Sequence, residues 1–308
     1  MPFLSRGDSL PVSGLKSERS QEIVTEIRWK TGKPENTKVH KEGGVIYLSY
    51  PALDRTGMVC HGFSTRLGGV SQGVFRSMNL GFGRGDDKEN VLENFGRIAG
   101  AIGFSREDIV TADQTHTTNV REITKEDRGN GVTKERAFHN VDGMITDVPG
   151  LILTTFYADC VPLYFVDPVH KAIGLSHSGW RGTAGKIGKV TLEKMRKRYG
   201  TDPSEVVAAI GPSICRDCYE VSEDVIQQFQ QAFPREDWES LYDEKADGKY
   251  QLDLWQANRL ILLEAGVLPD RIIMPEICTC CNPEFLFSHR ASGGKRGNLA
   301  AFLGLREF

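Results

Sequence analysis

The sequence predicts a mixed α/β (α+β) fold, in which mixed sheets carry helices on the outside. Strand-like runs outnumber helical ones and cluster between residues 109 and 176. They follow one another instead of alternating strictly with helices, which argues against a doubly wound parallel sheet. From Val45 to Leu305 short apolar runs and glycine turns continue without a linker-like stretch, so residues 44–308 are expected to form one domain. Residues 1–43 are polar, rich in Ser, Lys, Glu and Arg, with 23–29 as a strand candidate, and read as an N-terminal appendage.

Each element has a local reason. Residues 59–63 read as a strand. Asp87 can cap a helix whose apolar residues Val91, Leu92, Phe95, Ile98, Ala99 and Ile102 recur at helical spacing until Gly103 stops it. Strands are expected at 109–112, 119–123, 151–157, 163–166 and 172–176. A second helix is expected over 183–199 before Gly200, and a strand over 206–210. A third helix should run over 222–233 before Pro234, and a fourth from Asp253, with Gln256 in capping-box position, to Gly266. Residues 285–288 complete the strand candidates.

Composition removes several classes of function. The 308 residues carry a net charge of −3 with 26% charged residues, and no basic stripe of the kind that displaces phosphate counterions, so nucleic acid is not an expected partner. The helical spacing of charges over 186–198 reads as a solvated helix face. The longest uncharged run, 148–158, is too short to span a membrane. The first residues lack the pattern of a secretory signal, so a cytoplasmic location is expected. Seven cysteines, an odd number, fit reduced thiols or metal ligands better than a disulfide framework. A chain of this size buries about three quarters of its unfolded surface. A metal is therefore expected to serve chemistry, not folding.

The chemistry-bearing residues gather around one hairpin. If Pro168 and Val169 form a two-residue turn, Cys160 lies directly opposite His177, with Cβ atoms about 4.5–5.5 Å apart, close enough to share a metal or a proton. Gly179-Trp180-Arg181-Gly182 then leads into a helix and offers backbone N–H groups and the Arg181 guanidinium to an anion. His116, between two strand candidates, would complete a Cys-His-His set, which suits zinc with a fourth position open. A rival Cys₄ zinc site would use Cys215 and Cys218 with Cys278, Cys280 or Cys281, the other readings of these thiols being buried cysteines or a redox pair.

Six motifs occur in one order: Cys60-His61-Gly62-Phe63-Ser64-Thr65-Arg66-Leu67-Gly68-Gly69-Val70-Ser71, Ser77-Met78-Asn79-Leu80-Gly81, Gln114-Thr115-His116, Ala158-Asp159-Cys160-Val161-Pro162, His177-Ser178-Gly179-Trp180-Arg181-Gly182 and Ile210-Gly211-Pro212-Ser213-Ile214. With Phe285-Leu286-Phe287-Ser288-His289-Arg290 near the end, this set resembles the laccase-domain family, also called multicopper polyphenol oxidase-like or peptidoglycan-editing factor proteins, which includes purine nucleoside phosphorylases. The resemblance implies a four-layer α/β/β/α fold and a metal on His116, Cys160 and His177. It also implies phosphorolysis of adenosine, inosine and methylthioadenosine, so purine nucleosides and phosphate are the expected partners, with some adenosine deamination.

The copper label fits poorly, because the seven histidines contain no His-x-His pair and Cys160 lacks the nearby His and Met of a blue-copper loop. Zinc is the expected metal, although such a donor set also takes copper. Arg66 and Arg181, with Asn79, are expected to hold phosphate near the anomeric carbon, and Cys160 and His177 to serve catalysis. Two alternatives stand beside this reading. One is a cysteine-type amidohydrolase editing peptidoglycan precursors, with Cys160 as nucleophile and His177 as base, and the other a copper-dependent phenol oxidase.

Overall fold

A computed structural model describes residues 26–307. Among these the strands, in chain order, are β1 (Lys38–Glu42), β2 (Val45–Ser49), β3 (Val59–Ser64), β4 (Ile109–Thr111), β5 (Val120–Glu122), β6 (Gly143–Thr146), β7 (Ile152–Tyr157) and β8 (Val161–Asp167). They continue with β9 (Ala172–Ser178), β10 (Val207–Ile210), β11 (Glu220–Val221), β12 (Tyr242–Glu244), β13 (Tyr250–Leu252), β14 (Ile272–Ile273) and β15 (Leu299–Leu305). Two six-stranded sheets form, ordered β1-β2-β3-β15-β7-β4 and β14-β10-β8-β9-β6-β5, beside a small sheet β11-β13-β12. Both large sheets mix parallel and antiparallel pairs, which is the mixed α/β class expected from sequence.

The two large sheets pack face to face, and period-two alternation assigns their side chains. Along β15, Leu299, Ala301, Leu303 and Leu305 point into the core between the sheets, while Ala300 and Phe302 point outward. That outward face is covered by the helix Lys88–Ile102 through Val91, Phe95 and Ile98. In β8, Tyr164 and Val166 face the central core, and Leu163 and Phe165 face the helices Ile187–Tyr199 and Leu254–Glu264. Burial on both faces explains why these strands read as continuous apolar runs.

Several boundaries differ from expectation. The turn Gly43–Gly44, both with positive φ, joins β1 to β2 in register Glu42↔Val45, so the boundary placed after residue 43 falls inside a hairpin. Residues 38–42, read as appendage, are the edge strand of a six-stranded sheet. The 23–29 strand candidate lies partly outside the described residues; within it Trp29 makes an isolated bridge to Ile277. The helix expected over 183–199 is two helices, Trp180–Ala184 and Ile187–Tyr199, because Lys186 turns to a left-handed φ of 58°. Residues 285–288 are not a strand, since the Phe285 and Leu286 N–H groups donate to the Asn282 carbonyl in a turn. No helix among the described residues is long and apolar enough to cross a membrane.

Candidate active site and metal centre

Three segments converge on one point. Cys160 immediately precedes β8, after Asp159, whose φ of 91° bends the chain into the strand. His177 lies near the end of β9, and His116, with a φ of 64°, in the loop between β4 and β5. The β8–β9 register differs from the expected one: Pro162, not Cys160, is opposite His177. The turn spans residues 168–171, because the Asp167 carboxylate accepts the Val169 and His170 N–H groups and Lys171 turns with a φ of 52°. A two-residue slip preserves the face, so Cys160 becomes the diagonal neighbour of His177 and its side chain still reaches it. Although β8 is a central strand, Pro162 lies beyond its last pair with β10, Leu163↔Ile210.

Donor atoms of His116, Cys160 and His177 all lie within 4.8 Å of one another, with Cys160 Sγ 3.9 Å from His116 Nε2. A tetrahedral zinc ion with its usual bond lengths would hold sulfur and nitrogen about 3.6 Å apart, so the set fits such an ion with little adjustment. Gly179 permits the convergence, since a Cβ there would sit 2.7 Å from His116 Cδ2 and 3.2 Å from Cys160 Sγ.

One residue the sequence reading missed organises the set. The buried Asp142 carboxylate accepts from the backbone N–H of Thr115, His116 and Thr117 at 3.0, 3.1 and 2.9 Å, and from His177 Nδ1 at 2.8 Å. It thereby ties the His116 loop to β9 and turns His177 Nε2 toward Cys160. Burial raises the carboxyl pKa, but the His177 hydrogen bond and the backbone donors outweigh it and hold Asp142 at about 2. Burial likewise pushes the Cys160 thiol up, yet the facing charge and hydrogen bonds of the two histidines bring it down to about 6. His177, which burial alone would lower, is raised to about 9 by Cys160 and Asp142. The pair therefore favours thiolate and imidazolium when no metal is bound. Tyr157 stands behind His177 as a wall, its hydroxyl donating to the Ser176 carbonyl at 3.1 Å.

The set opens into a cavity of about 350 Å³, within the range of small-ligand sites. Phe82, Phe156, Gln114 and the guanidinium groups of Arg84, Arg136 and Arg296 line it. Arg136 pairs with the Asp113 carboxylate at 3.1 Å and Arg296 donates to the Gly297 carbonyl and the Asn298 side chain, while Nε of each is buried without a hydrogen-bond partner. Burial, with Arg84 nearby, lowers Arg296 to about 10.

Arg66, Asn79 and Arg181, the residues expected to hold phosphate, do not line this cavity. Arg66 donates to the Arg76 and Pro283 carbonyls, stacks on Phe287, and lines a neighbouring cavity of about 290 Å³ that shares Arg296 with the first. Arg181 stacks 4.2 Å above Trp180 and borders a separate hollow with Gln228 and Gln231. Asn79 is fully buried, accepting from the Gly81 and Asn298 N–H groups and shaping the loops that carry Arg84 and Arg296. The signal that could have found Arg84 and Arg296 was their placement in glycine-flanked loops, Gly83-Arg84-Gly85 and Arg296-Gly297.

Residues 60–306 match the family model described as multi-copper polyphenol oxidoreductase laccase. The chain is 41% identical over 250 residues to the purine nucleoside phosphorylase YlmD of Geobacillus stearothermophilus, covering 80% of this chain and 90% of that protein. It is 36% identical over 238 residues to the adenosine deaminase RL5 of an unknown prokaryotic organism, covering 76% and 90% respectively. The crystal structure of Geobacillus stearothermophilus YlmD superposes with a TM-score of 0.83 at 38% identity, over 89% of this chain and 100% of that one.

Proposed function

The chain belongs to the multi-copper polyphenol oxidoreductase laccase family, and on that premise we propose that it is a zinc-dependent purine nucleoside phosphorylase acting on adenosine, inosine and methylthioadenosine. The observation that carries this reading is one cavity lined both by His116, Cys160 and His177 and by Arg84, Arg136 and Arg296. Relatives named purine nucleoside phosphorylase support it. A zinc ion on the Cys-His-His set would supply Lewis acidity at the substrate, and the absence of any His-x-His pair argues against the copper cluster of a phenol oxidase.

The chain's own residues do the remaining work. Arg84, Arg136 and Arg296 bring their positive charge to the phosphate. The purine packs on the apolar wall of Phe82 and Phe156. As a phosphate oxygen bonds to C1′, the C1′–N9 bond breaks and its electron pair leaves with the purine, which takes up a proton. Positive charge grows at the sugar carbon in between, so a phosphate clamped beside it is both nucleophile and counter-charge. Asp142 holds His177 and the His116 loop in place throughout. Adenosine deamination uses the same cavity, with water replacing the C6 amino group, which leaves as ammonia. A cytoplasmic setting, where thiols stay reduced, suits the seven free cysteines.

Release of adenine from methylthioadenosine, dependent on added phosphate, tests the reading, with inosine formation from adenosine as the second readout. No base release from zinc-replete protein would refute the phosphorylase assignment. The order Cys160–His177–Asp142 also matches a thiol hydrolase, a second reading in which His116 would be dispensable. Loss of activity in His116→Ala, together with loss of the zinc held by His116, Cys160 and His177, separates the two in favour of the phosphorylase.

A further inference from the structure

Outside the cavity, a second group of side chains converges. Cys215 and Cys218 flank a short turn after β10, and Cys278 and Cys281 flank another near the end of the chain. Sγ atoms of all four lie within 4.8 Å of one another. Cys281 Sγ is 3.5 Å from Cys218 Sγ and 4.0 Å from Cys215 Sγ. A disulfide needs about 2.05 Å. Thiolates around a tetrahedral zinc ion, at about 2.3 Å each, stand about 3.8 Å apart, a value that the two observed spacings bracket.

We propose that Cys215, Cys218, Cys278 and Cys281 bind a structural zinc ion, separate from the metal set of His116, Cys160 and His177. Three further features suit a metal tetrathiolate. Cys278 Sγ accepts the backbone N–H of Cys215 at 3.2 Å and of Cys281 at 3.4 Å, which delocalises thiolate charge. The Lys30 ammonium lies beside Cys215 while paired with Asp217 at 2.7 Å, and offsets part of the net negative charge that four thiolates leave on a zinc ion. Cys215 and Cys278 are buried and all four positions come from protein, so no site is open for substrate, as in structural zinc centres. Cys280 is not among the four, which makes both halves Cys-x-x-Cys.

The position explains what such an ion would hold. Ser213 bridges to Cys278 beside the two turns, and Trp29 bridges to Ile277. Thr279 donates to the Asp159 carboxylate at 2.6 Å, and the Ile214 N–H to the Asp159 carbonyl at 2.9 Å. The cluster thus joins two distant stretches of chain, with Trp29 and Lys30 of a third against them, beside the residue that precedes Cys160.

The test is a zinc count per chain on the full-length protein. His116→Ala/Cys160→Ala removes two donors of the other set and leaves the four cysteines untouched, so it should keep one zinc per chain. Its cobalt-substituted form should show the intense thiolate-to-metal charge-transfer absorption of a tetrathiolate. A count of zero in that variant would overturn the proposal, as would a Cys218–Cys281 disulfide in freshly purified wild type. Cys218→Ser/Cys281→Ser in the otherwise wild-type chain should lose one zinc and unfold at lower temperature; a folded variant with an undiminished count would also overturn it.

Discussion

The two thiol-containing clusters differ in openness. His116, Cys160 and His177 provide three donors at the wall of a cavity of about 350 Å³. The four cysteines provide a complete donor set packed between two turns. An incomplete set beside a cavity leaves room for a reactant, whereas a complete one can only hold chain segments together. The expectation that any metal here serves chemistry and not folding therefore suits the first cluster and does not extend to the proposed second.

Substitutions should separate the clusters by kind of damage. The largest effect is expected for Cys160→Ser, which should lower phosphorolysis on the order of 10³-fold or more with little change in melting temperature, read by base release and calorimetry. Cys218→Ser should do the reverse, lowering the melting temperature on the order of 10 °C while folded protein retains measurable turnover. If both variants lose stability equally, the division between chemical and structural centres fails. Asp142→Asn should weaken zinc binding at the first cluster by about 10–100-fold, measured by competition with a chelator, because it releases both the His116 loop and His177. Arg296→Ala should raise the KM for phosphate by about 10-fold or more through loss of a charge-assisted contact. The smallest effect, within about twofold, is expected for Arg181→Ala, whose guanidinium stacks on Trp180 away from the cavity. A larger effect there would return the phosphate to the helix after β9.

Much of this was legible locally. Asp87 caps its helix by accepting the Glu89 N–H, and Asp253 caps another through the Gln256 N–H, as their spacing predicts. Strand β15 was missed because Leu299–Leu305 is apolar on both faces, a pattern that does not distinguish a buried strand from a helix segment. The Gly43–Gly44 turn lies at the boundary expected for the appendage, although paired glycines between two strand-like runs are a hairpin signal.

By itself the sequence determined the fold class, the main helices and the residue types around the β8–β9 hairpin, because periodicity, caps and turn residues act within a few positions. Only the tertiary structure decided the hairpin register, the hydrogen bonds that Asp142 makes and which arginines line the cavity. Each of these depends on contacts between residues far apart in the chain. The register follows from how the Asp167 carboxylate closes its turn, and the arginine lining of the cavity from the loops that the buried Asn79 brings together. Charge and spacing along a chain do not specify which of several guanidinium groups will face the same cavity; packing does.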